Sequence, residues 1–173
     1  MAIGVQVTFD AHDPGRLAAF WAEALGYTEQ PPPPGFATWQ EFGRHIGLPE
    51  ERWNDTAGLV DPDGVGPRLF FQRVPEDKTA KNRVHLDLNV GAAVSDPEQR
   101  RPVVRRRAEQ LAAAGGAVVR EVDEATGWCV VMTDPEASCG MRHSNHDDDA
   151  GRDLLPDQQG QGGRRIGCGA SAG

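Results

Sequence analysis

The residues best suited to chemistry lie at 81–90, Lys-Asn-Arg-Val-His-Leu-Asp-Leu-Asn-Val. From Val84 the stretch alternates. Val84, Leu86, Leu88 and Val90 point one way, and His85, Asp87 and Asn89 point the other. A period of two is that of a strand with one apolar and one polar face. His85 and Asp87 then stand side by side on the polar face. An imidazole titrates near neutral pH, so the pair are the candidates for acid–base work. The plainer alternative is a half-buried strand histidine bonded to a neighbour. Lys81, Asn82 and Arg83 sit at the mouth of this strand. Arg83 offers a fork for a carboxylate or phosphate, or else orders the loop through an ion pair with Glu76 or Asp77.

The elements that would position these residues can be read in order. Val5, Val7 and Phe9 alternate with Gln6, Thr8 and Asp10, which predicts a first strand of the same kind. Asp13-Pro14 is a helix start, with Asp as N-cap and Pro in the first helical position. Leu17, Phe20, Trp21, Ala24 and Leu25 give that helix its apolar stripe, and Gly26 stops it. Short strands are predicted at 27–30 and 58–60. Between them, Pro31–Pro34 is a stiff connector and Thr38 caps a short helix through Trp39, Phe42 and Ile46. Asp61-Pro62-Asp63-Gly64 is a turn. A strand follows at 68–74, with Phe70, Gln72 and Val74 on one face and Leu69, Phe71 and Arg73 on the other.

After the His85 strand the order recurs. Asp96-Pro97 starts a helix with an apolar stripe of Val103, Val104, Ala108, Leu111 and Ala112, and Gly115-Gly116 ends it. Strands are predicted at 117–122 and 128–133, and Asp134-Pro135-Glu136 begins another turn. The fold class is therefore α+β: two βαβββ modules, about 3–74 and 83–143, each too small to bury its own sheet face. Together they form paired curved mixed sheets around a cleft. One domain spans 1–143. From 144 to 173 the composition turns to Gly, Gln, Ser and Asp, which predicts a disordered tail.

The 173 residues carry a net charge of −8, which speaks against a general nucleic-acid partner. Arg100, Arg101, Arg105, Arg106 and Arg107 make the second helix basic. They read as a solvated face paired with Glu98 and Glu109 more readily than as an RNA patch. There is no stretch long enough to span a membrane and no leader-like N-terminus, so a cytoplasmic protein is expected. Cys129, Cys139 and Cys168 have no metal-type spacing and read as reduced thiols. His143 and His146, followed by Asp147–Asp149, read as an adventitious metal site at most.

The pocket that these faces line would be polar, with Gln6, Thr8, Gln72, His85 and Asp87 as donors and acceptors. Trp39, Phe70 and Trp128 would supply apolar walls. Several stretches together resemble the glyoxalase-like group of the vicinal oxygen chelate superfamily. They are Asp13-Pro14 to Phe20-Trp21 and Leu25-Gly26-Tyr27, then Thr38-Trp39-Gln40-Glu41-Phe42, Asp61-Pro62-Asp63-Gly64, Phe71-Gln72-Arg73-Val74-Pro75-Glu76 and Lys81 through Leu88. The superfamily also holds the glyoxalase I, bleomycin-resistance and extradiol-dioxygenase families. The resemblance implies a small-molecule ligand and often a homodimer.

In metal-using members of that superfamily, four strand residues hold one divalent ion. Carried over by position, the slots fall on Gln6, Gln72, His85 and Met141. Of these only His85 is a strong ligand for a hard or borderline ion, so no tightly bound metal cofactor is expected. A shifted site using His85 with Asp87 or Asp10 has no motif behind it. The expected function is metal-independent binding of a small organic molecule, with Gln6, Thr8, Trp39, Gln72, Arg83 and His85 as ligand-binding residues. The alternatives are a metal-dependent lyase or dioxygenase-type enzyme and a non-catalytic relic or interaction domain. After Glu136 the family pattern expects Gly and then an apolar alternating strand. The sequence Ala-Ser-Cys-Gly-Met-Arg-His-Ser breaks it. A weak or missing last strand is the expectation here, leaving a sheet edge unpaired and the pocket open on one side.

Overall fold

The structure, a computed structural model, describes residues 3–125, 127–137 and 140–144. The predicted order is present. The first module runs β1 (Gln6–Ala11), α1 (Pro14–Leu25), β2 (Thr28–Glu29), α2 (Trp39–His45), a single 3₁₀ turn at Glu50–Arg52, β3 (Thr56–Val60) and β4 (Arg68–Arg73). The second runs β5 (His85–Leu88), α3 (Pro97–Ala113), β6 (Ala117–Glu124), β7 (Gly127–Thr133) and β8 (Gly140–Ser144). Each module makes its own four-stranded mixed sheet, in the orders β1-β4-β3-β2 and β5-β8-β7-β6. The first and last strands of a module pair in parallel, and the other pairs are antiparallel.

The helix starts follow from their caps. Asp13 accepts from the Arg16 amide at 3.1 Å, and the Asn54 side chain donates to the same carboxylate at 2.8 Å. The Asn54 bond, then the Arg16 amide, hold the Asp13 carboxyl below its ordinary range. Gly26 closes α1 at φ 71°, a left-handed position that glycine occupies without steric cost. The helix then buries Leu17, Phe20, Trp21 and Ala24 against Phe9, Leu59, Leu69 and Phe71 of the first sheet. Phe9 stacks on Phe71 at 5.0 Å and tilts against Trp21 at 5.1 Å.

In the second module α3 buries Val104, Ala108 and Leu111 against Trp128, Val130 and Met132 of β7. Val103 is only half-buried and Ala112 is exposed, so the stripe is narrower than its sequence pattern. Trp128 is therefore core beneath α3, not a cleft wall. Arg101 and Arg105 lie over its ring at 5.3 and 5.1 Å. These arginines pair across to β6 rather than along the helix: Arg105 forms a two-pronged bond to Glu121, and Arg101 reaches Asp123. Four of the ten N–H donors of these two forks are thus committed to carboxylates of β6, not to the expected Glu98 and Glu109.

The last strand differs from expectation. β8 is formed and lies between β5 and β7, so it fills the middle of the sheet. Ladder bonds come from the backbone and need no side-chain alternation. β5 and β7 each offer an edge, and the chain from 140 to 144 satisfies both. Ser144 belongs to this strand, whereas the rest of the stretch expected to be disordered lies outside the described residues.

The modules meet through helix–helix and turn contacts. The Glu136 carboxylate accepts the amides of His12 at 2.7 Å and Asp13 at 2.8 Å. Arg107 reaches the Glu23 carbonyl, and Lys78 reaches the Ala137 carbonyl. Gly116 sits where a methyl group would meet the Thr133 carbonyl at 2.9 Å, Phe20 at 3.0 Å and the Leu111 carbonyl at 3.1 Å. Two of those neighbours are backbone and cannot turn away. Gly116→Ala is expected to cost about 1–3 kcal/mol, the usual range for overpacking; a urea midpoint equal to that of the parent would contradict this contact.

Candidate functional site

The polar face of the first sheet is built by register. Gln6 lies opposite Arg68, Thr8 opposite Phe70, and Asp10 opposite Gln72. Gly58 and Thr56 of β3 continue the second and third rows. Leu69 and Phe71, one step out of phase, face the core, so alternation alone sends Arg68, Phe70 and Gln72 to the other side. The row partners are hydrogen-bonded. Gln6 accepts from the Arg68 guanidinium and donates to Thr8 Oγ1 at 3.2 Å. Gln72 donates to Asp10 at 2.8 Å.

Arg68 was not singled out by sequence reasoning, which saw it only as the start of a strand. In the structure it is the centre of this face. Its guanidinium lies over the Phe70 ring at 4.9 Å, and its Nε donates to the Gln30 side chain at 2.6 Å. Gly58 makes room for it: a methyl group there would meet Gln30 Oε1 at 2.9 Å and Arg68 Nη2 at 3.1 Å. A cavity of about 300 Å³ opens in front of Arg68, between the sheet and the α2 segment. Trp39, Phe42, Trp53 and Phe70 wall it.

A larger cleft of about 950 Å³ is lined by residues of both modules, among them β1 and β5, each an edge strand of its sheet. Val7, Phe9, Val84 and Leu86 give it apolar walls, and Thr8, Asp10, Lys78 and Asn82 add polar groups.

The predicted site residues are thus distributed. Thr8 lines the cleft between modules, Trp39 lines the Arg68 cavity, and Gln72 borders a shallower hollow with His12 and Arg73. Gln6 joins the set through Arg68 and Thr8. His85 and Asp87 are exposed on one face of β5, as their alternation predicts, and Arg83 is exposed just before it. Among the described cavities none is lined by these three. The loop acid Asp77 pairs with His12 at 3.3 Å.

The four positions implied as metal slots do not fit a hard divalent ion. Gln6 presents its carbonyl oxygen to a guanidinium, a fixed positive charge beside the place where the ion would sit. Gln72 is engaged with Asp10. The register partner of His85 is Gly140, and Met141 lies opposite Leu86, one step away. Two neutral amides and one imidazole are a poor donor set for such an ion. Among the described residues no three His, Cys, Asp or Glu side chains cluster as ligands.

A family model described as a glyoxalase-like domain matches residues 6–138. Solved structures share the fold at low identity. The fosfomycin resistance protein FosX of Listeria monocytogenes is 11% identical, with 90% of this chain and 100% of that one covered and a TM-score of 0.58. FosX of Mesorhizobium loti is 12% identical over 88% and 99% of the two chains, with a TM-score of 0.55. A glyoxylase/bleomycin resistance protein/dioxygenase domain from Frankia sp. EAN1pec is 18% identical over 85% and 99%, with a TM-score of 0.51. No curated protein matches in sequence. No helix among the described residues is long and apolar enough to cross a membrane. The paired βαβββ modules, the internal register and the match from 6 to 138 agree, and the chain belongs to the glyoxalase-like domain family.

Proposed function

We propose that this protein binds a small organic molecule in the cleft between its modules and does so without a resident metal ion. One observation carries the reading: the Arg68 guanidinium occupies the carbonyl oxygen of Gln6, the first of the four inherited ligand positions. A divalent cation there would be repelled by Arg68 and held by weak neutral donors. What remains is a cleft with apolar walls of Val7, Phe9, Val84 and Leu86 and a few polar groups among them, the usual composition of a small-molecule site. Of the ligand-binding residues expected from the sequence, Thr8 lines this cleft and Gln6 is bonded to it, while Trp39, Gln72, Arg83 and His85 lie outside its lining; Asp10, Lys78 and Asn82 are the further polar groups proposed to meet the ligand. His85 and Asp87, side by side on the exposed face of β5, are the proposed acid–base pair if a reaction follows binding. The fosfomycin resistance proteins that share the fold make small antibiotics a sensible first set of compounds.

The test is metal content together with ligand response. Protein is produced in medium supplemented with zinc, nickel, manganese and iron and purified without chelator, beside a His85→Ala variant. The expected result is substoichiometric metal in both, and thermal stabilisation by small compounds that EDTA does not change. Near-stoichiometric metal that disappears in the variant would overturn the proposal and favour a metal-dependent lyase or dioxygenase.

A further inference from the structure

The cavity in front of Arg68 has a chemistry of its own. It joins a half-buried fixed cation to aromatic walls. Among the described residues the hydrogen bonds of Arg68 run to Gln30 and Gln6, both neutral amide oxygens. No carboxylate is among these bonding partners: its row partner on β1 is Gln6, and Gly58 lies one row along on β3, while Glu29 also lines the cavity without bonding the guanidinium. The two bonds use two of five N–H donors, so three remain in the planar fork. A guanidinium with donors left over attracts an anion, best a planar one that accepts two parallel bonds.

The walls state what else the ligand must carry. Trp39 is oriented by its Nε1 donating to the Gln30 carbonyl at 2.7 Å, and Trp53 by its own donating to Leu48 at 3.1 Å. Trp39 also packs edge-on against Phe42 at 5.9 Å. The indoles are therefore fixed before any ligand arrives, and little ordering cost is left for binding. A volume of about 300 Å³ is at the small end of ligand sites and suits one or two fused rings. We propose that this cavity is a subsite for a planar aromatic carboxylate, its ring between the Trp39 and Phe70 walls and its carboxylate on the free edge of Arg68. Gln30 and Gly58 are positioning residues: the first holds Nε, and the second leaves space for the fork to lie flat across β3. The inference rests on the binding function proposed above and names the ligand class that this second cavity, tied to the cleft through Gln6 and Thr8, accepts.

Indole-3-carboxylate and indole-3-carboxamide are the probes, equal in shape and different in charge. Binding is followed by NMR of the ¹⁵N-labelled full chain, reading the indole N–H signals of Trp39 and Trp53 and the amides of Val84 and Leu86. The acid is expected to shift the two indole signals and to bind at least about tenfold more tightly than the amide, a difference of about 1.4 kcal/mol. Arg68→Gln should abolish that difference while leaving the melting curve cooperative. Gly58→Ala, which keeps Arg68 but displaces it, should reduce the difference. Equal affinity for acid and amide, or no shift at Trp39 and Trp53, overturns the subsite. Shifts confined to Val84 and Leu86 overturn it as well, yet leave binding in the cleft between modules standing.

Discussion

His143→Leu is expected to stabilise the protein at neutral pH by about 1–3 kcal/mol, the cost of leaving buried polar groups unpaired. His143 lies in β8, fully buried, and neither ring nitrogen has a hydrogen-bond partner. It faces Leu88 and Val130 in the ladder, where a leucine of similar size would fit. Burial, and then the positive charge of Arg107, push its pKa from 6.5 down to about 4. The folded value lies below the unfolded one, so the unfolded chain takes up the proton first. The stability tied to this group is whole above pH 6.5 and is lost as the pH falls towards 4. A change of that size corresponds to about 3 kcal/mol at 1.36 kcal/mol per pKa unit. Urea unfolding at pH 7.5, 5.5 and 4.5 should give curves for parent and variant that diverge as acid is added. A constant gap across the three pH values would contradict the buried neutral imidazole.

Glu136→Ala is expected to cost about 2–3 kcal/mol, because two bonds to a charged acceptor are lost together. Its carboxylate takes the amides of His12 and Asp13, at the point where β1 passes into α1, from a turn at the far end of the chain. Anionic charge is favoured at that helix start. Glu124→Ala, an exposed control in β6, should change stability by less than about 0.5 kcal/mol. If the Glu136 variant behaves like this control, the modules are held by something else. A second, earlier unfolding transition in the Glu136 variant would go further and mark the modules as separate cooperative units.

The contrast between Asp13 and Glu136 explains what could be read in advance. Asp13 caps its own helix three residues on, and the local Asp-Pro pair announces it. Glu136 caps the same helix from more than a hundred residues away, and its own neighbourhood says only that there is a turn. The paired modules were legible because each element carries a local period or a stop. β8 was not, because Gly-Met-Arg-His-Ser has no period and its pairing is decided by two waiting backbone edges. At the site, the alternation placed His85 and Asp87 on one exposed face. Arg68 was missed because its importance comes from Gln6, Gln30 and Gly58, which are far apart in sequence. Trp128 was misassigned because alternation separates the two faces of a strand without saying which one a helix covers.

The position of β8 also bears on the order in which the protein is made. Among the described residues β5 pairs with no strand but β8, and β8 is the last of these strands to leave the ribosome. The first module can complete its sheet as soon as β4 has emerged, about seventy residues earlier. Until residues 140–144 follow, the strand bearing His85 and Asp87 has no ladder partner and β7 lacks one of its two. The nascent chain therefore passes through a stage with one finished half and one half carrying two open edges, the kind of intermediate that invites pairing with another chain. A pause in translation, or a cleavage, anywhere between β7 and β8 would hold the protein at that stage.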